Sequence, residues 1–186
     1  MITTIDFAIL DFIQTHWRTE IGDKIFSWIT FLGDYGILWI LLAVVLLCFS
    51  KTRKTGLTLG LALVIGFFVG MIGIKNLIRR ERPFTVPDAL LSFETLLIHT
   101  GLDRFSFPSA HTIIAFASAV VLFRFNKLWG IITLILAGLI GFSRLYLYVH
   151  FPSDVFVGML VGIAAALLAQ WIMDCITAKK QALPDA

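Results

Sequence analysis

Ser143, Arg144, His150 and Asp154 lie within one stretch, Gly141–Asp154, at the junction of two apolar runs, 128–148 and 155–171. Each run is apolar enough to cross a bilayer, and ionisable groups held beside lipid are costly, so they read first as functional. Pro152 suits the first turn of a helix, where its missing N–H is no loss. Asp154 then falls in that turn, four residues past His150, within reach of the imidazole. An imidazole oriented by a carboxylate is the base-and-orienter half of a nucleophilic site. A helix-capping Asp beside an interfacial His would look the same, so partners elsewhere must decide.

Two further stretches supply them. Lys75-Asn-Leu-Ile-Arg-Arg-Glu-Arg-Pro83 ends an apolar run, with Lys75 and Arg82 seven residues apart. On a continuing helix the two share a face, about 10 Å apart along the axis. Pro83 is expected to stop that helix. Arg79 and Arg80 read as snorkelling anchors at a span end. Lys75 sits about two turns deeper, where an anchor does not belong. Phe107-Pro108-Ser109-Ala110-His111 opens another apolar run. With Pro108 in the first helical turn, the amides of Ser109, Ala110 and His111 lack intrahelical partners and face the positive end of the helix dipole, an anion site. Taken alone, a plain helix cap explains this stretch equally well.

The elements that must position these residues are membrane spans. Of 186 residues, 59% are hydrophobic and 15% charged, and the mean hydropathy is +0.92, far from a soluble domain. The apolar runs are 25–49 (interrupted at Gly33-Asp34, so that spanning starts near Tyr35), 56–78, 110–123, 128–148 and 155–171. A span needs roughly 20 apolar residues, which the third reaches only with its polar ends. The expected fold is all-α: one membrane-embedded domain over 1–186 with about five transmembrane helices. Met1–Trp17, which carries Asp6 and Asp11 and no basic start, is not expected to be a signal peptide. Its Ile2, Ile5, Ile9, Phe12, Ile13 and Trp17 recur at helical spacing, as in an amphipathic helix lying in the interface. The pairs Gly56/Gly60, Gly66/Gly70 and Gly158/Gly162 allow close helix packing. Cys48 and Cys175, both within apolar runs, read as small core residues, neither a disulfide nor a metal pair.

Lys51, Arg53 and Lys54, then Arg124 and Lys127, then Lys179 and Lys180 fall on one side by alternation, with almost no acids before Asp185. The positive-inside rule makes that side, and the C-terminus, cytoplasmic. The polar stretches then meet on the outer face. A net charge of +3, dispersed along the chain, gives no case for nucleic acid. Three cations (Lys75, Arg82, Arg144), a helix N-terminus with Ser109, and two imidazoles suit the equatorial oxygens of a phosphoryl group in transfer. One His can attack phosphorus and the other protonate the leaving oxygen.

These three stretches carry a resemblance. Lys, six residues, Arg-Pro; Pro-Ser-x-His; and Ser-Arg, five residues, His, three residues, Asp are similar to the three-part signature of the type-2 phosphatidic acid phosphatase superfamily, with every spacing kept from Lys75 to Asp154. The resemblance implies a helical core and a phosphohistidine mechanism without metal or other cofactor. In it His150 is the nucleophile, Asp154 its partner and His111 the general acid. Lys75, Arg82, Ser109, Ala110 and Arg144 bind phosphate, and Ser143 supports. Ala110 stands where the family usually has Gly, which matters only if the backbone there needs positive φ.

Small members of this length with an interfacial N-terminal helix and five spans resemble undecaprenyl-diphosphate phosphatases. Phosphatidylglycerophosphate and phosphatidate phosphatases share the motifs. The expected substrate is therefore a lipid phosphate or diphosphate in the bilayer, with loop 84–106 (Phe93, Leu96, Leu97) covering the site and Glu94 and His99 at its surface. A metal hydrolase using His111, His150 and Asp154 is opposed by three nearby cations. A lipid-phosphate binding or transport protein without turnover is the reading from a different class.

Overall fold

A computed structural model describes residues 2–87, 89–98 and 104–182, without the side chains of 2, 3, 180 and 182. His99 and Asp185, the Lys180 side chain and the Ile2 end of the N-terminal stripe lie outside the described residues. Every regular element among them is helical: α1 Ile2–His16, α2 Glu20–Phe31, α3 Ile37–Cys48, α4 Arg53–Gly66, α5 Lys75–Ile78, α6 Ala110–Phe125, α7 Lys127–Tyr146 and α8 Pro152–Ala182. A π-helical segment, Phe67–Ile74, joins α4 to α5. Four units are long and apolar enough to cross a membrane: Glu20–Cys48, Arg53–Thr85, Lys127–Tyr146 and Pro152–Lys179. The 16-residue α6 is the fifth apolar helix. This is a multi-pass membrane protein.

α6 can be short because it is wrapped by protein. It packs against α4, α7 and α8, and Ile113, Ala115, Ala117, Ser118, Ala119, Val121 and Leu122 are all buried. Lipid offers no hydrophobic drive between helices, so close backbone approach must hold them. A Cβ on Gly162 would lie 2.4 Å from the Ile113 carbonyl oxygen, and one on Gly158 2.8 Å from that of Ser109. The α6–α8 contact therefore depends on both glycines. Gly66 and Gly70 likewise receive Ile113. Gly60, expected to pack, has open space where its side chain would be.

The first span differs from expectation. α3 alone is 12 residues, about 18 Å long, too short to start at Tyr35 and cross. α2 completes it across a break at Gly33–Gly36, where Tyr35 (φ 53°) and Gly36 (φ 67°) turn left-handed, giving one 29-residue unit.

α1 is docked as well as amphipathic. Leu10 and Ile13 are buried in a core with Leu96, Tyr146, Leu147, Tyr148, Val149 and Phe151. Asp6 and Gln14 are turned inward too. Gln14 Nε2 donates to the Tyr146 carbonyl at 2.7 Å, and Tyr148 O–H donates to Asp11 at 2.8 Å. Ile5, Ile9, Phe12 and Trp17 of the expected stripe face outward, away from the protein. The helix thus turns its polar edge to the protein, because the groups it satisfies there are buried.

At the other end of the bundle Lys54 and Arg124 both pair with Asp174, at 3.0 and 2.7 Å. Asp174 is an acid among the basic groups that the orientation argument passed over. These pairs are exposed and add little stability.

Candidate active site

Helix α5 ends at Ile78, four residues earlier than Pro83 would dictate, because Arg79 turns left-handed (φ 50°). The shared helical face expected for Lys75 and Arg82 therefore does not exist. Instead the π-helical segment delivers Lys75, buried, from one side. π-Helical widenings are frequent at functional sites. Arg82 returns through the non-helical chain and donates to the Val149 carbonyl at 2.7 Å, with His150 Nε2 at 3.4 Å.

The turn between α7 and α8 is closed on Arg144, whose carbonyl accepts from the amides of Val149 (3.1 Å) and His150 (3.3 Å). Tyr148 takes φ 60° in this turn. The nucleophile candidate is thus anchored to the backbone of a phosphate-binding candidate six residues away. Ser143, buried, donates back to the Ile140 carbonyl at 2.6 Å and supports the helix end.

Pro108 precedes the helix, contrary to its expected place in the first turn: Ser109 is the N-cap and Ala110 the first helical residue. The Ser109 amide is already taken by the Asp154 carbonyl at 3.1 Å. The amides left ahead of the first intrahelical bond, from Ile113 to Ser109, are those of Ala110, His111 and Thr112. Ala110 is helical and is not among the residues with positive φ, so the backbone at this position does not require glycine. The Ser109 hydroxyl accepts from Thr112 at 3.0 Å and keeps its own proton to donate.

These elements enclose a cavity of about 440 Å³ lined by Gly33, Tyr35, Phe67, Met71, Lys75, Arg82, Ala110, His111, Ile114 and His150. Five of the eight sequence-derived site residues line it directly. Ser109, Arg144 and Asp154 stand behind them, almost fully buried. Arg144 Nη1 donates to the Thr30 hydroxyl and lies 3.4 Å from His111 Nε2. Burial first, then the charges of Arg82, Arg144 and Lys75, holds the His150 imidazole well below its ordinary value. The described part of loop 84–106 does not line the cavity. It packs behind the α7–α8 turn through Leu96, Phe84, Val86, Ala89, Leu91 and Ile98, leaving Phe93 and Glu94 at the surface.

Asp154 does not grip His150 as closely as its spacing implied. Its Oδ2 is 3.5 Å from His150 Nδ1, and that nitrogen has no hydrogen-bond partner among the described residues. The same Oδ2 accepts from the Phe151 amide at 2.9 Å, and Oδ1 accepts from Arg80 at 2.8 Å. Arg80 is therefore no snorkelling anchor. It also reaches Ser153 Oγ (2.6 Å) and Asp6 (2.7 Å) and lies 3.8 Å over the Phe151 ring. Asp6 in turn accepts from the amide and hydroxyl of Ser153. Exposed Arg79, whose side chain bonds the Asn76 carbonyl at its own helix end, fits the anchor role. Asp34, expected only to interrupt the first apolar run, is 2.8 Å from His111 Nε2. Asp6 and Asp34 both stand among apolar residues in the sequence, the signal that could have marked them for the site. Among the described residues no three of His, Cys, Asp or Glu form a metal-binding group.

The chain resembles known proteins throughout this region. An "Undecaprenyl-diphosphatase" of Sulfolobus acidocaldarius is 36% identical over 135 residues, 71% of this chain and 63% of that protein's length. The chain thus spans somewhat under two thirds of this relative. The crystal structure of Aquifex aeolicus LpxE is 34% identical with a TM-score of 0.69, covering 82% of this chain and 87% of that one. The crystal structure of a PAP2-type phosphatidylglycerolphosphate phosphatase from Bacillus subtilis is 27% identical with a TM-score of 0.75, covering 94% of this chain and 87% of that one. The model of the PAP2 superfamily matches residues 54–177, from the start of the second span almost to the end of α8, and the chain belongs to that family.

Proposed function

We propose that this protein is a metal-independent lipid phosphatase, and that it converts undecaprenyl diphosphate to undecaprenyl phosphate and phosphate. One observation carries the reading: a single cavity is lined both by the polar Lys75, Arg82, His111 and His150 and by the apolar Tyr35, Phe67, Met71 and Ile114. Such a site takes a phosphate while the chain attached to it stays against lipid. His150 Nε2, kept neutral by its surroundings, attacks phosphorus, and Asp154 supports its charge. Lys75, Arg82 and Arg144 with the amides of Ala110 and His111 stabilise the oxygens, and Ser109 donates its hydroxyl. His111 protonates the departing oxygen and then takes a proton from the water that hydrolyses the phosphohistidine.

The diphosphate substrate rests on the name borne by the Sulfolobus relative. The second reading is a glycerophospholipid phosphatase, favoured by the Bacillus structure's fit over 94% of this chain. The cavity is read as opening to the outer face, because Lys51, Arg53, Lys54, Arg124, Lys127 and Lys179 gather at the opposite end of the spans.

Phosphate release by purified protein in detergent, measured on prenyl diphosphates, phosphatidylglycerophosphate and phosphatidate, separates the substrates. Release should persist in excess EDTA and be inhibited by vanadate. Activity lost on chelation and restored by a divalent metal overturns the mechanism. Binding of all these lipids without release makes the protein a non-catalytic binder.

A further inference from the structure

A general acid must hold its proton before the leaving group departs, and the surroundings of His111 oppose that. The ring stands in the first turn of α6, at the positive end of the helix dipole. Arg144 of α7 comes within 3.4 Å of Nε2, and Lys75, Arg82 and His150 line the same cavity. Asp34 offsets them. It enters from the break between α2 and α3, and its Oδ1 is 2.8 Å from His111 Nε2, with the side chain only 17% exposed. The break is pressed against the ring: a Cβ on Gly33 would lie 2.6 Å from His111 Cδ2. Asp154, the other carboxylate nearby, is committed to the Phe151 amide and to Arg80.

We infer that Asp34 is the counter-charge that keeps His111 protonated for leaving-group departure, a positioning residue for the reaction. This rests on the proposed acid role of His111. In the first step the bond from His150 Nε2 to phosphorus forms, the bond from phosphorus to the leaving oxygen breaks, and the His111 proton passes to that oxygen. In the second, water attacks phosphorus, the bond from phosphorus to His150 Nε2 breaks, and the proton lost by the water goes to His111. Asp34 neither gives nor takes a proton; it stabilises the cationic ring between turnovers. A carboxylate beside a phosphate site also weakens substrate binding, so its presence needs a compensating benefit in the chemical step.

The test compares Asp34→Asn, Asp34→Ser, Asp34→Glu, His111→Ala and Asp34→Asn/His111→Ala on an alkyl phosphate and on an aryl phosphate with an acidic phenol, from pH 5 to 9 (a range of roughly physiological width around the imidazole titration). Asp34→Asn should lower kcat on the alkyl phosphate by about 10-fold or more, within the 10²–10⁴-fold total of general acid catalysis, with KM unchanged or lower. On the aryl phosphate the loss should be small. Without the carboxylate the ring gives up its proton more readily, so the alkaline limb of the kcat profile should move to lower pH by about one unit or more. Asp34→Glu should restore part of the rate, and Asp34→Asn should add nothing in the His111→Ala background. Asp34→Ser, also neutral, gives the same readout if the amide variant does not fold. Equal losses on both substrates, an unmoved alkaline limb, or additive losses in the double variant overturn the inference while leaving the acid role intact. If His111→Ala itself shows no dependence on the leaving group, the acid role falls, and this inference with it.

Discussion

Arg80 Nη1 lies 2.8 Å from Asp154 Oδ1, so the carboxylate behind the nucleophile candidate is held by a guanidinium. The same guanidinium holds Asp6 of α1 at 2.7 Å. The N-terminal helix is thereby tied through one side chain to the support of His150, and the buried pair leaves an uncompensated charge if either partner is removed.

Arg80→Ala should accordingly destabilise the protein by about 3–5 kcal/mol, the usual result of breaking a buried pair from one side. It should also lower kcat, because Asp154 loses its fixed position. Asp6→Asn should cost less stability and less activity, since Arg80 keeps Asp154. Thermal unfolding in detergent, with kcat measured well below the transition, reads both. Wild-type stability and kcat in Arg80→Ala would mean that the clasp is incidental.

His150→Ala should form no phosphoenzyme and turn over neither lipid nor aryl phosphate. Asp154→Asn should retain nucleophilic attack but lose about 10²–10⁴-fold in kcat, as when a carboxylate partner of a catalytic His is neutralised. Rapid quench with labelled substrate, followed by alkaline gel separation to preserve a phosphohistidine, measures the intermediate. Turnover surviving in His150→Ala but not in His111→Ala would exchange the two roles.

The acidic side of the pH profile should be extended. Burial and the nearby cations depress the His150 imidazole well below 6.5, so the neutral nucleophile persists as pH falls through 6.5 and is lost only lower. The acid limb of kcat should lie clearly below pH 6.5. Arg82→Gln, which removes one opposing cation, should move that limb upward while lowering kcat. A wild-type limb at or above the ordinary imidazole value contradicts the assignment of His150 as a depressed, neutral nucleophile.

Sidedness has a direct readout. With Cys48 and Cys175 replaced, Glu94→Cys places a thiol at an exposed position in the loop behind the site. It should react with an impermeant maleimide in intact cells. Labelling only after lysis would invert the orientation and place the substrate in the cytoplasmic leaflet.

The candidate site residues and the membrane were both legible in the sequence. Apolar runs near bilayer length leave the backbone no option but helix. The signature positions Lys75, Arg82, Ser109, Ala110, His111, Arg144, His150 and Asp154 are legible because they cluster in three short stretches of chain. How those stretches are held depends instead on the packing of distant helices. Asp6 and Asp154 each meet Arg80 across 74 residues, and Asp34 meets His111 across 77. Such pairings depend on which helix faces come together, and no local spacing encodes that. The end of α5 was likewise beyond the sequence, because a left-handed Arg79 stops the helix before Pro83 can. The inward polar edge of α1 followed from the same cause: hydrophobic periodicity marks the face that meets an apolar medium, and in a bilayer that face can be the outer one.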